Sequence, residues 1–258
     1  MAITTINDTH LTDIANAIRS KNGTTDTYKP SEMASAIENI EAGGSGGGKY
    51  APRKLSFQNY AYTDELDYEI ANVDTSNLLT MSSMFNYCST LLKLDLRGWK
   101  TTNVQSFYNM FYHCEKMTEV NVSSFDFTNA TSCEGMFGYC YKLKKADLRC
   151  IKGNKITTFK NMFLYNSVIE EIDLSNMETT SVTTANTMFG ECPKLKKIDI
   201  RSATFSKITS SSGYTSMFAS VPVDCLIIVK DDKEKTWITS KYTKLTNIKT
   251  VAELEAEA

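Results

Sequence analysis

Residues 101–125 read "TTNVQSFYNMFYHCEKMTEVNVSSF", and the Met-Phe pair at the centre of this string returns along the chain at a fixed interval. Met84-Phe85, Met110-Phe111, Met136-Phe137, Met162-Phe163 and Met188-Phe189 are each 26 residues apart, and Met217-Phe218 follows after 29. A period between about 20 and 50 residues marks an array of stacked supersecondary units. When the copies are aligned, a strand-like stretch lies downstream of each pair. Its inward positions are Leu94, Val120, Ala146, Ile172 and Ile198, then Leu96, Val122, Leu148, Leu174 and Ile200, alternating with polar residues as one buried strand face requires. Upstream, Val104, Phe107, Met110, Phe111 and Cys114 follow i, i+3, i+6, i+7, i+10, the stripe of a short amphipathic helix. The reading is an α/β solenoid of 26-residue helix-turn-strand units with parallel strands. A unit this small buries too little apolar surface to offset the entropy of ordering its backbone, so it depends on its neighbours.

Four of the seven cysteines, Cys88, Cys114, Cys140 and Cys192, fall on one repeat position, where Asn166 takes the fifth place. An odd count on equivalent positions reads as stacked buried thiols rather than disulfides, made in a reducing compartment. The same logic assigns the recurring Met-Phe pair to core packing and not to a cofactor or metal.

The formal charge of −2 offers no basic cluster for nucleic acid. No stretch reaches the roughly 18 apolar residues of a membrane span, and "MAITTINDTHLTD" has neither the basic nor the apolar region of an export signal. Neither nucleic-acid binding nor membrane insertion is expected. "HExxH", paired-cysteine zinc spacing and a glycine-rich phosphate loop after a strand are all missing, the one string that fits "GxSxG" is residues 43–47 inside the glycine-rich run, and His10 and His113 lie in different parts of the chain. The expectation is a non-catalytic protein without cofactor or metal.

The ends differ from the array, which runs over 74–223. Residues 51–73 read as an N-terminal strand cap with Leu66, Tyr68, Ile70 and Val73 inward, and 224–258 as a C-terminal cap of strand, Asp-capped helix and strand. Over 1–42, Leu11, Ile14 and Ile18, then Met33, Ile37 and Ile40, follow helical spacing on either side of Asn22-Gly23 and Pro30. This small N-terminal helical hairpin has too little core for independence, so those six side chains are expected to anchor or oligomerise the chain. The glycine-rich run over 43–50 would let the solenoid swing from that base.

The 101–125 string and its cousins "DTSNLLTMSSMFNYCSTLLKLDLRGW" and "TTSVTTANTMFGECPKLKKIDI" resemble the BspA-type leucine-rich repeat of bacterial surface and phage-borne proteins, over about residues 66–223. "LTDIANAIRSKNGTTDTYKPSEMASAIENI" resembles the N-terminal module of tail and baseplate-associated proteins of phages and prophages infecting Gram-positive bacteria. Together these resemblances imply a tail-tip or fibre protein that displays its solenoid for host-surface recognition. Its implied state is a homotrimer held among other tail or baseplate proteins, located in the virion tail and made in the host bacterial cytoplasm. A BspA-type cell-surface adhesin and a decoration protein without receptor binding are the alternatives. An adhesin would be expected to carry a signal peptide and an anchor.

Two surfaces are candidates for a host glycan or protein. On the outward strand face, Lys93, Glu119, Lys145, Glu171 and Lys197 alternate in sign, flanked by Arg97, Arg149 and Arg201 and by the acidic column Asp95, Asp147, Asp173, Asp199. Either this is a charge-balanced solvated face, or the arginines and aspartates hold a polar polymer; parallel aspartates lack the converging oxygens of a calcium site. The second surface is the column Tyr87, His113, Tyr139, Tyr165, which either packs on itself or offers amphipathic rings to a sugar or protein.

Overall fold

The computed structural model describes residues 75–152 and 154–257. The hairpin, the glycine run and the N-terminal cap expected from the sequence, including Leu11, Ile14, Ile18, Met33, Ile37 and Ile40, lie outside the described residues. The array is a solenoid of parallel strands, one short strand per rung. They are β1 (Lys93–Asp95), β2 (Glu119–Asn121), β3 (Lys145–Asp147), β4 (Glu171–Asp173) and β5 (Lys197–Asp199). Each rung stacks on the next in the 26-residue register, with Leu94 opposite Val120 and Ala146 opposite Ile172 opposite Ile198. The central residue of each strand points inward, and Leu94, Ala146, Ile172 and Ile198 are buried.

A shared device ends each strand. The side-chain oxygen of Asp95, Asn121, Asp147, Asp173 and Asp199 accepts the backbone N–H two residues on, an Asx turn that bends the chain off the sheet. The ladder is not continuous: β1 and β2 form one sheet, and β3 to β5 belong to another that continues into the C-terminal end.

The structure corrects the unit itself, because the segment before each strand is not a helix. Over Phe107–Cys114 the amide hydrogens alternate. Phe107, Asn109, Phe111 and His113 donate forward to carbonyls of the next rung, Ser132, Glu134, Met136 and Gly138, at 2.8–2.9 Å, while Met110, Tyr112 and Cys114 donate three residues back to Phe107, Asn109 and Phe111. The result is a chain of overlapping β-turns with left-handed residues at Asn109 (φ 52) and His113 (φ 60). Equivalent residues at other rungs, Ser83 and Tyr87, Asn161 and Tyr165, Thr187 and Glu191, share that conformation, and Gly135 takes it at the same position in the third rung. A non-glycine residue gives up about 1–2 kcal/mol there, which the bonds between rungs offset. An α-helix would satisfy its amides internally and leave nothing for the neighbouring rung. The turns nevertheless bury Val104, Phe107, Met110, Phe111 and Cys114, the same residues helical spacing selects.

A second file of parallel bridges joins Thr80, Ser106, Ser132, Thr158 and Thr184. Between these ladders the core runs the length of the array. Phe85, Phe111, Phe137, Phe163, Phe189 and Phe218 stack face to face at 5.2–6.0 Å between centroids. Beside them lies the cysteine file, and no disulfide joins any of the seven cysteines. The thiols of Cys114 and Cys140 donate at 3.2 Å to the carbonyls of Phe85 and Phe111 one rung back, and Cys192 donates at 3.1 Å to Phe163. Asn166 fills the same slot because its amide nitrogen reaches the Phe137 carbonyl, at 2.8 Å.

At the C-terminal end β6 (Leu226–Val229) pairs with β5, α1 (Asp232–Lys241) follows under an Asp231 cap, and β7 (Ile248–Thr250) pairs with β6. This is the strand, helix, strand order read from the sequence. A further helix, α2 (Val251–Ala256), begins in a reciprocal capping box between Thr250 and Glu253. Buried Glu234 ties α1 to the array by accepting from the Ser206 hydroxyl at 2.6 Å and its amide at 3.0 Å.

Candidate binding surface

The regular rungs set their outward side chains in files along the solenoid, so each surface is a set of columns. On the strand face the charges engage one another. Lys93 bridges Glu119 at 3.0 Å and Lys145 bridges Glu171 at 2.6 Å, each across one strand pair. The lysine hydrogen bond holds the Glu171 carboxyl below its usual range. The three arginines turn back on the aspartate that closes their own strand: Arg97 on Asp95 at 2.6 Å, Arg149 on Asp147 at 2.7 Å, Arg201 on Asp199 at 2.5 Å. In each pair both Nε and Nη2 donate. Asp173, whose rung has Ser175 in place of arginine, lies 3.7 Å from Arg149 Nε. Hydrogen bonds from the arginines hold the Asp95 and Asp147 carboxyls below the ordinary range. Each of these aspartates thus has two local tasks, closing a turn and neutralising an arginine.

The aromatic column is brought together as one file. Tyr87 stacks on His113 at 4.6 Å, His113 on Tyr139 at 4.3 Å, and Tyr139 on Tyr165 at 4.9 Å. All four occupy left-handed backbone positions, which turn the rings outward from the turn ladder. Tyr112 stands edge-on to Tyr87, His113 and Tyr139, and burial first, then the neighbouring Tyr139, pushes its hydroxyl up to about 12. His113 Nδ1 meets Glu115 at 3.2 Å. Within the file the ring faces lie against one another, with Tyr87 and Tyr165 the most open, 48% and 43% exposed, and His113 and Tyr139 half-buried.

One column escaped the sequence reading. Lys116, Lys142 and Lys194 occupy equivalent positions just past the aromatic file, and all three are exposed. The signal that finds them is the 26-residue register itself, applied to the turn between cysteine and strand. Among the described residues no group of three or more His, Cys, Asp or Glu side chains is arranged to hold a metal ion.

The register of these columns has a counterpart in a known family. The model of the family described as "Mycoplasma protein of unknown function, DUF285" matches residues 55–149 and again residues 119–225. The chain belongs to this family. No curated protein and no solved structure matches the chain. Two overlapping matches are what a reiterated unit produces, and the DUF285 repeat is here a parallel-strand solenoid that fits the BspA type. Its recurring punctuation within this chain, Met-Phe and Cys, is the buried file described above.

Proposed function

We propose that this DUF285 solenoid is a non-catalytic display surface for recognising a cell surface, carried as a phage or prophage tail-tip or fibre component. The observation that carries the recognition half is the aromatic file, a continuous row of rings along four rungs whose two end members, Tyr87 and Tyr165, are exposed. Large, stiff side chains with polar tips suit an extended ligand because little rotamer freedom is lost on contact. The tail component half rests on the resemblance of the N-terminal segment to tail-associated modules. In this reading that segment anchors the chain as a homotrimer to other tail proteins, and the receptor is a host glycan or protein.

The BspA-type repeat that the family match supports fits a second reading equally, a bacterial cell-surface adhesin with the same binding face. Antibody against the full chain, applied to purified virions and to intact cells of the source, separates the two. Label confined to cells rejects the tail assignment. For recognition itself, full chain and the Tyr87→Ala/Tyr165→Ala variant are incubated with isolated cell envelopes. Retention of the wild type and a roughly thirtyfold weaker variant are expected, since each of the two lost aromatic contacts is worth about 1 kcal/mol. Equal retention of both would remove the aromatic file from the proposal.

A further inference from the structure

From the lysine column we infer that the ligand of this face is a linear phosphodiester polymer without bases, lying along the solenoid between the aromatic file and Lys116, Lys142 and Lys194. The inference rests on the display reading above and narrows its ligand class.

The turn-and-strand strip of the rungs, residues 89–93, 115–119, 141–145, 167–171 and 193–197, holds eight lysines against four glutamates, in a chain of net charge −2. The glutamates are already engaged. Glu119 is bridged by Lys93, Glu171 by Lys145, Glu170 by Lys196, and Glu115 meets His113. Lys116, Lys142, Lys144 and Lys194 are exposed, and among the described residues none of them lies within ion-pair distance of a carboxylate. Positive charge is therefore concentrated on one edge of an otherwise neutralised surface. With rungs about 4.8 Å apart, Lys116 and Lys142 sit one rung apart and Lys142 and Lys194 two, so cations recur every 5–10 Å or so along the axis. That spacing suits a polymer with one negative charge per short repeat.

The chemistry of the charge follows from which cations remain. The forked guanidinium groups, which suit phosphate and carboxylate alike, are folded onto Asp95, Asp147 and Asp199. What remains is ammonium, a compact point charge that serves a tetrahedral phosphate from any side. Bases are unsuited to this edge, because single-stranded nucleic acid is held by stacking on open aromatic faces and these rings face each other at 4.3–4.9 Å. The exposed Tyr87 and Tyr165 instead offer hydroxyls for hydrogen bonds to phosphate oxygens and to polymer hydroxyls.

The test uses full chain and immobilised poly(glycerol phosphate), with polygalacturonate and poly(dT) as competing probes. Wild type is expected to bind the phosphate polymer best and to weaken steeply with salt. Lys116→Ser/Lys142→Ser/Lys194→Ser, all at exposed positions, is expected to bind about a hundredfold more weakly, about fivefold per lysine near an anionic surface. Arg97→Ser/Arg149→Ser is expected to change binding by less than about threefold. The inference is overturned if the lysine variant binds like wild type, or if either competing probe is preferred. Binding to intact envelopes but not to poly(glycerol phosphate) also rejects it while leaving the display reading standing. Binding to neither rejects both.

Discussion

Consider the exchange of Asn166 for cysteine, the residue that fills its slot in four other rungs. The Asn166 amide nitrogen donates to the carbonyls of Phe137 and Phe163, both at 2.8 Å, while its carbonyl oxygen is buried and accepts no hydrogen bond among the described residues. Two facing carbonyls fix that orientation, since a flipped amide would set oxygen against oxygen. A buried acceptor without a donor costs about 1–3 kcal/mol. A thiol at 166 removes that acceptor and keeps a donor for Phe137, as Cys114 and Cys140 do for Phe85 and Phe111. The exchange gives up the bond to Phe163, worth about 1 kcal/mol at most, and that carbonyl keeps the thiol of Cys192 at 3.1 Å. Asn166→Cys is therefore expected to stabilise the protein by about 1 kcal/mol, a rise in Tm of about 2–4 °C for a chain of this size. Asn166→Asp instead sets an acceptor-only carboxylate against the same two carbonyls and is expected to cost at least about 3 kcal/mol. Urea denaturation followed by circular dichroism measures both changes. A Cys variant less stable than wild type by about 1 kcal/mol or more, or an Asp variant that is tolerated, would refute the account of this file as a row of donors to the preceding rung.

Phe137→Ala interrupts the stacked phenylalanine file at its middle, where the ring lies between Phe111 and Phe163, and is expected to destabilise by about 3–5 kcal/mol in the same urea assay. On the alkaline side, burial raises the thiols of Cys114, Cys133 and Cys140 and pushes Cys150, Cys192 and Cys225 up to about 12. A group raised on folding stabilises fully below its unfolded pKa, about 8.5, and that contribution is lost as pH climbs towards the folded value, so Tm should fall progressively above about pH 9. On the acid side the depressed Asp95 and Asp147 carboxyls act oppositely, stabilising above about pH 4 and losing that contribution as pH falls below it. Both are partly exposed, so added salt should shrink the acid effect and leave the alkaline one.

The array was legible because its period repeats without a gap through five Met-Phe pairs, and the strand columns because alternation at period two is the mark of a strand with one face buried. The spurious helix has a specific cause. Overlapping turns that bond three residues back place Phe107, Met110, Phe111 and Cys114 inward at nearly the spacing of a helix, so hydrophobic periodicity cannot separate the two. The position that could have separated them is the one holding Ser83, Asn109, Gly135, Asn161 and Thr187, where asparagine and glycine favour the left-handed backbone found there. The second C-terminal helix was announced by Thr250 and Glu253, three apart, but a six-residue element is easily read as fraying. Of the surfaces, the alternation of charge could be read directly. That the arginines fold back on their own aspartates could not, because it depends on the Asx turn aiming both side chains to one side.

The turn ladder and the strands direct their hydrogen bonds from one rung to the next, so a load applied to the two ends of the array strains every layer in series. Each layer should yield as a unit, and with about 3.4 Å of contour per residue its 26 residues would pay out roughly 90 Å of chain. A single molecule held at both ends would then lengthen in even steps, behaving as a shock absorber between whatever holds its base and whatever grips its face.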